Sequence, residues 1–138
     1  MEKKTKGSIS EQILILELLK KEVMVSLPIG NNAPYDLIAD VNGVLFRIQV
    51  KTAWLDDKKA IKCAGSRLIT TNTKTAIVRF YKKEDFDIAA VVYNEDIYFI
   101  PVDVFIEYKS CFHLIPLRKN SAKHDLSEYK NNWAIFGL

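Results

Sequence analysis

The dipeptide Asn42-Gly43 sits between two apolar, β-branched runs, Tyr35 to Val41 and Val44 to Thr52. Asn-Gly is the strongest short-range hairpin signal, because the favoured two-residue turn needs positive φ at both positions. The segment therefore reads as two antiparallel strands, 35–41 and 44–52. The clearest element lies upstream of the hairpin. Ser8-Ile9-Ser10-Glu11 has the Ser-x-x-Glu spacing of a capping box, and Ile13, Leu14, Leu16, Leu18 and Leu19 follow. This pattern predicts a helix over about 9–22.

The remaining elements are shorter. Val23 to Leu27 reads as a strand ended by Pro28, and Gly30 to Pro34 as a loop. After Trp54 the pattern weakens: Asp56 to Lys62 is polar, and Ser66 to Lys74 reads as an extended or mobile basic segment. Thr75 to Tyr81 reads as a strand, and Ile88 to Tyr93 with Ile97 to Ile100 as a second hairpin. Pro101 can open a short helix through Tyr108. Leu126 to Asn132 is a further helical candidate, with Trp133, Ile135, Phe136 and Leu138 expected to pack onto the body. This order predicts an α+β or mixed α/β sandwich, and 138 residues suit one domain over 1–138.

Composition excludes several classes. With 49% hydrophobic and 27% charged residues the chain is neither disordered nor membrane-like. No uncharged apolar run approaches the ~20 residues that span a bilayer, and no secretory signal follows Met1-Glu2-Lys3-Lys4. Cys63 and Cys111 lack metal-ligand or disulfide spacing, and His113 and His124 have no companion ligands. A soluble, cytoplasmic protein with no membrane partner is expected.

Charge is segregated along the chain. From Arg47 to Lys83 there are ten basic residues and two acidic ones, a net of +8; Glu84 to Glu107 holds seven acids and no base. Such a basic stretch suits a polyanion, because each cation placed near a phosphate releases condensed counterions. It equally suits a solvated surface whose two halves neutralise each other. Lys58, Lys59, Arg67 and Lys74 are the candidate DNA contacts, interleaved with Thr70, Thr71, Asn72 and Thr73.

The hairpin also carries chemistry. Along 44–52, Arg47, Gln49 and Lys51 alternate with Ile48 and Val50 and so share one face. Asp36 stands early in an apolar strand, where Asp is disfavoured. A turn at 42–43 brings Asp36 beside Lys51. The Asp36 carboxylate, the Gln49 amide oxygen and the Val50 carbonyl are hard oxygen ligands suited to Mg²⁺. A neighbouring Lys51 ammonium can stabilise charge developing on a phosphate. These parts describe metal-assisted phosphodiester hydrolysis. The bland alternatives are an Asp36 bonded to the 31–32 loop, an ordinary Gln49, a solvated Lys51 and a Glu11 used up by its capping box.

At Asp36 and Gln49-Val50-Lys51 the chain resembles the PD-(D/E)XK nuclease superfamily, whose pattern is Asp on one core strand and acid-x-Lys on the next. Glu11 stands where these enzymes often carry a helical Glu. The segments Ser26 to Ile38 and Arg47 to Thr52 are similar to those of small intron-encoded homing endonucleases of cyanobacterial type, which share Gln in place of the acid. The resemblance covers about residues 7–54. It implies a central mixed sheet flanked by helices, Mg²⁺-dependent cleavage of double-stranded DNA with Mn²⁺ able to substitute, and a homodimer or homotetramer. It carries Asp36 over as a metal ligand, Lys51 as the catalytic lysine, Gln49 as a ligand or water-positioning group, and Glu11 as an auxiliary acid. Two departures stand out: Tyr35 separates Pro34 from Asp36, and Gln49 is neutral. With one carboxylate fewer, metal binding without DNA should be weak. A junction-resolvase-like or restriction-type nuclease and a catalytically silent DNA-binding relative remain as alternatives.

Overall fold

The structure, a computed structural model, describes residues 1–70, 73, 75–117 and 125–138. Lys74 and His124 lie outside the described residues. Helix α1 spans Lys3–Lys20 and is followed by strand β1, Met24–Ser26. The expected hairpin forms as β2, Leu37–Val41, and β3, Val44–Thr52. Val41 pairs with Val44 across a turn in which Asn42 and Gly43 both have positive φ (52° and 87°). The Asp40 carboxylate accepts the Gly43 N–H (2.9 Å), closing that turn.

The helix starts earlier than the capping-box spacing predicts. Glu2 is the N-cap residue, without a side-chain cap, and the Ser8 hydroxyl donates to the Lys4 carbonyl one turn back (3.1 Å). Lys3, Lys4 and Lys6 are good helix formers, and the helix runs through Gly7 despite its low propensity. Glu11 is thereby released from any capping role. Leu14 and Leu18 are fully buried against the sheet, while the buried Ser10 hydroxyl shares a hydrogen bond with Thr52 (2.7 Å).

The main sheet has the order β1-β2-β3-β8-β9, with β8 at Ile88–Tyr93 and β9 at Asp96–Pro101. β3 and β8 run parallel; the other pairs in this sheet are antiparallel. The Arg47 backbone and guanidinium both bind the Asp87 carboxylate, which fixes the start of the parallel ladder. β8 is buried on both faces, as a covered parallel strand must be. Ile88, Ala90 and Val92 enter a core with α1, Phe99 and Phe136; Ala89 and Val91 enter a second core with Phe86, Phe105 and Phe112. The C-terminal aromatic residues are thus mainly core rather than free surface.

Between β3 and β8 the chain builds β4, Trp54–Leu55; β5, Ile61–Ala64; β6, Ser66–Thr70; and β7, Ala76–Phe80. Helix α2 is limited to Val102–Phe105 and precedes β10, Cys111–Ile115, a strand not foreseen in the sequence. β10, β5 and β4 form a three-stranded sheet, and β6 and β7 a two-stranded ribbon. The expected helix at 126–132 is a single 3-10 turn, Leu126–Tyr129. No helix among the described residues is long and apolar enough to cross a membrane.

Gly65 joins the second sheet to the ribbon, and its N–H donates to the Ser110 carbonyl (2.9 Å). A Cβ there would overlap the Tyr108 carbonyl oxygen and come within 2.7 Å of the Ser110 oxygen. Both obstacles are backbone atoms. Gly65→Ala is therefore expected to destabilise the fold by about 1–3 kcal/mol, read as a lower urea midpoint at unchanged m; an unchanged midpoint would show that the 108–110 backbone yields freely.

Candidate active site

The site arises where β3 outlasts β2. The Asp36 N–H donates to the Ile48 carbonyl (2.8 Å), and beyond it β2 has no residue to pair with β3. The N–H and C=O of Val50 point to this vacated side, because one residue's two backbone groups face the same neighbour in an antiparallel ladder. Buried backbone groups need partners. The Asp36 carboxylate accepts the Val50 N–H (2.8 Å), and the Gln49 side-chain amide donates to the Val50 carbonyl (3.2 Å). Asp36 is bonded to Val50, not to the 31–32 loop.

Asp36, Gln49 and Lys51 line one cavity of about 540 Å³ with Ser66, Arg67 and Tyr81. The Lys51 ammonium donates to the Ser66 carbonyl (2.8 Å) and lies 4.8 Å from the centroid of the buried Tyr81 ring. Its other anchors are therefore a backbone oxygen and a π face rather than solvent. Glu11 and Asp36 meet in an adjoining cleft beside Gly30 and Asn31. The Ser10–Thr52 hydrogen bond sets α1 against the end of β3 and so brings Glu11 there.

Electrostatics follow from this packing. Burial holds the Asp36 carboxyl above its ordinary range, against the opposing pull of the Val50 N–H, Lys51 and Arg67. Burial, then the Asp36 charge, raises Glu11. Burial also lowers Lys51, with Asp36 opposing and Arg67 reinforcing. The fully buried Cys63 thiol is pushed up to about 12, so it stays a neutral thiol. Groups pushed off their ordinary values in a cleft make it a candidate functional site.

The donor set fits a hard divalent cation. Asp36, Glu11, the Gln49 amide oxygen and the Val50 carbonyl are all oxygens. Among the described residues no group of three His, Cys, Asp or Glu could hold a metal, and Gln49 stands where a third acid would. Arg47, on the same face of β3, is held by Asp87 and stands outside the cavity. Lys58 and Lys59 are exposed in the turn between β4 and β5 and do not line it. Arg47–Asp87 and Lys83–Asp103 pairs join the basic stretch to the acidic one, so part of the charge segregation is neutralised internally.

The profile of the PD-(D/E)XK endonuclease family matches residues 1–136. The chain belongs to that family. A solved bacterial homing endonuclease, I-Ssp6803I, superposes on this PD-(D/E)XK endonuclease with a TM-score of 0.83 at 33% identity, over 98% of this chain and 93% of that one. No curated protein matches the chain by sequence. The mixed sheet with flanking helices is the fold expected of the family.

Two contributors to the endonuclease cavity escaped the sequence pattern. Ser66 acts through its backbone, which leaves no side-chain signal, and Tyr81 reads as an ordinary strand aromatic. Arg67 was legible only as a basic residue, not as a wall of the cavity.

Since the folded protein favours protonated Asp36, the stability contributed by this group is fully present below its unfolded value of 3.8 and is lost as pH rises through the raised folded value. At neutral pH the ionised carboxylate therefore costs stability. Asp36→Asn keeps an oxygen for the Val50 N–H and removes that cost. Its urea midpoint at neutral pH is expected to equal or exceed the wild-type value; a lower midpoint would show that the ionised carboxylate stabilises the fold.

Proposed function

We propose that this endonuclease is a Mg²⁺-dependent enzyme that hydrolyses phosphodiester bonds of duplex DNA at a specific target, acting as one domain over 1–138. The observation that carries this reading is the meeting of Asp36, Lys51 and Arg67 in one cavity. The homing activity named for the similar bacterial structure supports a site-specific target.

Asp36 would hold the cation, with Glu11, Gln49 and Val50 as the further oxygens; Mn²⁺ offers the same hard-ligand chemistry. When bound, such a cation makes water more acidic and draws charge from the phosphoryl group. The protein's own groups do the rest. Hydrolysis adds water to phosphorus as the bond to the leaving oxygen breaks, and negative charge accumulates on the non-bridging oxygens. The Lys51 ammonium, held by Ser66 and Tyr81, is fixed in advance to meet that charge. Arg67 supplies a second cation with a planar donor fork suited to phosphate. The bond from the Val50 N–H to one Asp36 oxygen orients the carboxylate.

One such cavity cuts one strand. A double-strand break needs two cavities related by a two-fold axis, hence a homodimer or homotetramer. A catalytically silent DNA-binding relative is favoured by one observation, the neutral Gln49 bonded to Val50 where a third acid would stand.

Supercoiled plasmid carrying sites from a selection for cleaved sequences separates the two. With Mg²⁺ the wild type is expected to nick or linearise it, and Lys51→Ala and Asp36→Ala to lose about 10²-fold or more in rate. Equal cutting by all three proteins would expose a contaminant. Failure to cut any DNA, once a rare target site has been excluded, would favour the silent reading.

A further inference from the structure

The β6–β7 ribbon pairs only with itself, and β7 is exposed along its whole length. Its register sets Arg67 directly across from Arg79. Directly opposed side chains share a face with Cβ atoms about 5 Å apart, and like charges placed there destabilise the pair. Among the described residues neither arginine is in an ion pair with a carboxylate. The register therefore puts both arginines on one face of the ribbon, and the acid whose charge acts on Arg67 is Asp36, across the cavity. One of them, Arg67, lines the cavity of Asp36 and Lys51; the other lies next to it on the exposed strand.

We infer that Arg67 and Arg79 form a seat for a backbone phosphate of duplex DNA beside the phosphate that is cut. This rests on the nuclease reading above and adds Arg79 and the ribbon to it. An anion between the two guanidinium groups turns their repulsion into a shared attraction. Each planar fork can bind phosphate oxygens in a bidentate manner. The ribbon starts at Ser66 and Tyr81 directly follows its last residue, Phe80; these are the two anchors of Lys51, so DNA seated on the ribbon is placed in register with the catalytic lysine.

The test is fluorescence anisotropy of labelled duplex DNA with the full chain over about 50–200 mM salt, in Ca²⁺ and again in chelator. Arg79→Ala is expected to weaken binding equally on unrelated sequences. It should also reduce the slope of log affinity against log salt by about 0.9, one phosphate's share. Arg79→Glu puts an opposite charge across from Arg67, so its thermal midpoint is expected to rise while its affinity falls further. An unchanged salt slope in both variants overturns the arginine seat. Loss of affinity together with a lowered midpoint in both also overturns it, since that marks a damaged ribbon. If the wild type binds no duplex under either condition, the nuclease reading falls and the seat with it.

Discussion

The hydrogen bond from the Val50 N–H to the Asp36 carboxylate is the interaction on which the site depends. β3 runs past the end of β2, and a strand left unpaired inside a fold must find partners for its backbone groups. Asp36 answers that need with a charge instead of another strand. The same carboxylate that completes the sheet's hydrogen bonding therefore faces Gln49, Lys51 and Arg67. Completing the fold and building the site are one event here, which is why an Asp stands at the threshold of an otherwise apolar strand.

The surrounding architecture divides the labour. The parallel β3–β8 pair, buried on both sides of β8, holds the Gln49-Val50-Lys51 backbone rigidly. The crossover between those two strands supplies what reaches over the cavity: Ser66, Arg67 and Tyr81. Helix α1 adds Glu11 through the Ser10–Thr52 bond. Raised carboxyls and a lowered lysine result from bringing these groups together under partial burial, a cost that the two hydrophobic cores offset.

Much of this was legible in the residues, for reasons that can be named. Asn42-Gly43 determines the hairpin because only particular residues accept two successive positive φ values. Period-two alternation then puts Gln49 and Lys51 on one face, and the turn brings Asp36 to their end. What escaped depends on partners distant in sequence. β10 becomes a strand because β5 offers it an edge. The apolar pattern of 126–129 suits a single 3-10 turn as well as a longer helix. The Ser8–Glu11 spacing imitates a cap, but the lysines before it extend the helix and free Glu11. Tyr81 and the Ser66 carbonyl could be found only by folding the crossover onto β3.

Lys51 belongs by its backbone to the most deeply packed sheet of the molecule, and by its tip to the foot of a ribbon that no other strand supports. Two-stranded ribbons are marginal on their own, so local opening of the ribbon requires far less free energy than opening of the sheet. Each such opening loosens the Ser66 oxygen and leaves the ammonium group on the Tyr81 ring, which is packed against Phe86 and Phe105 in the second core. The lysine is thus tethered at two points of unequal persistence, one on the ribbon and one in the core.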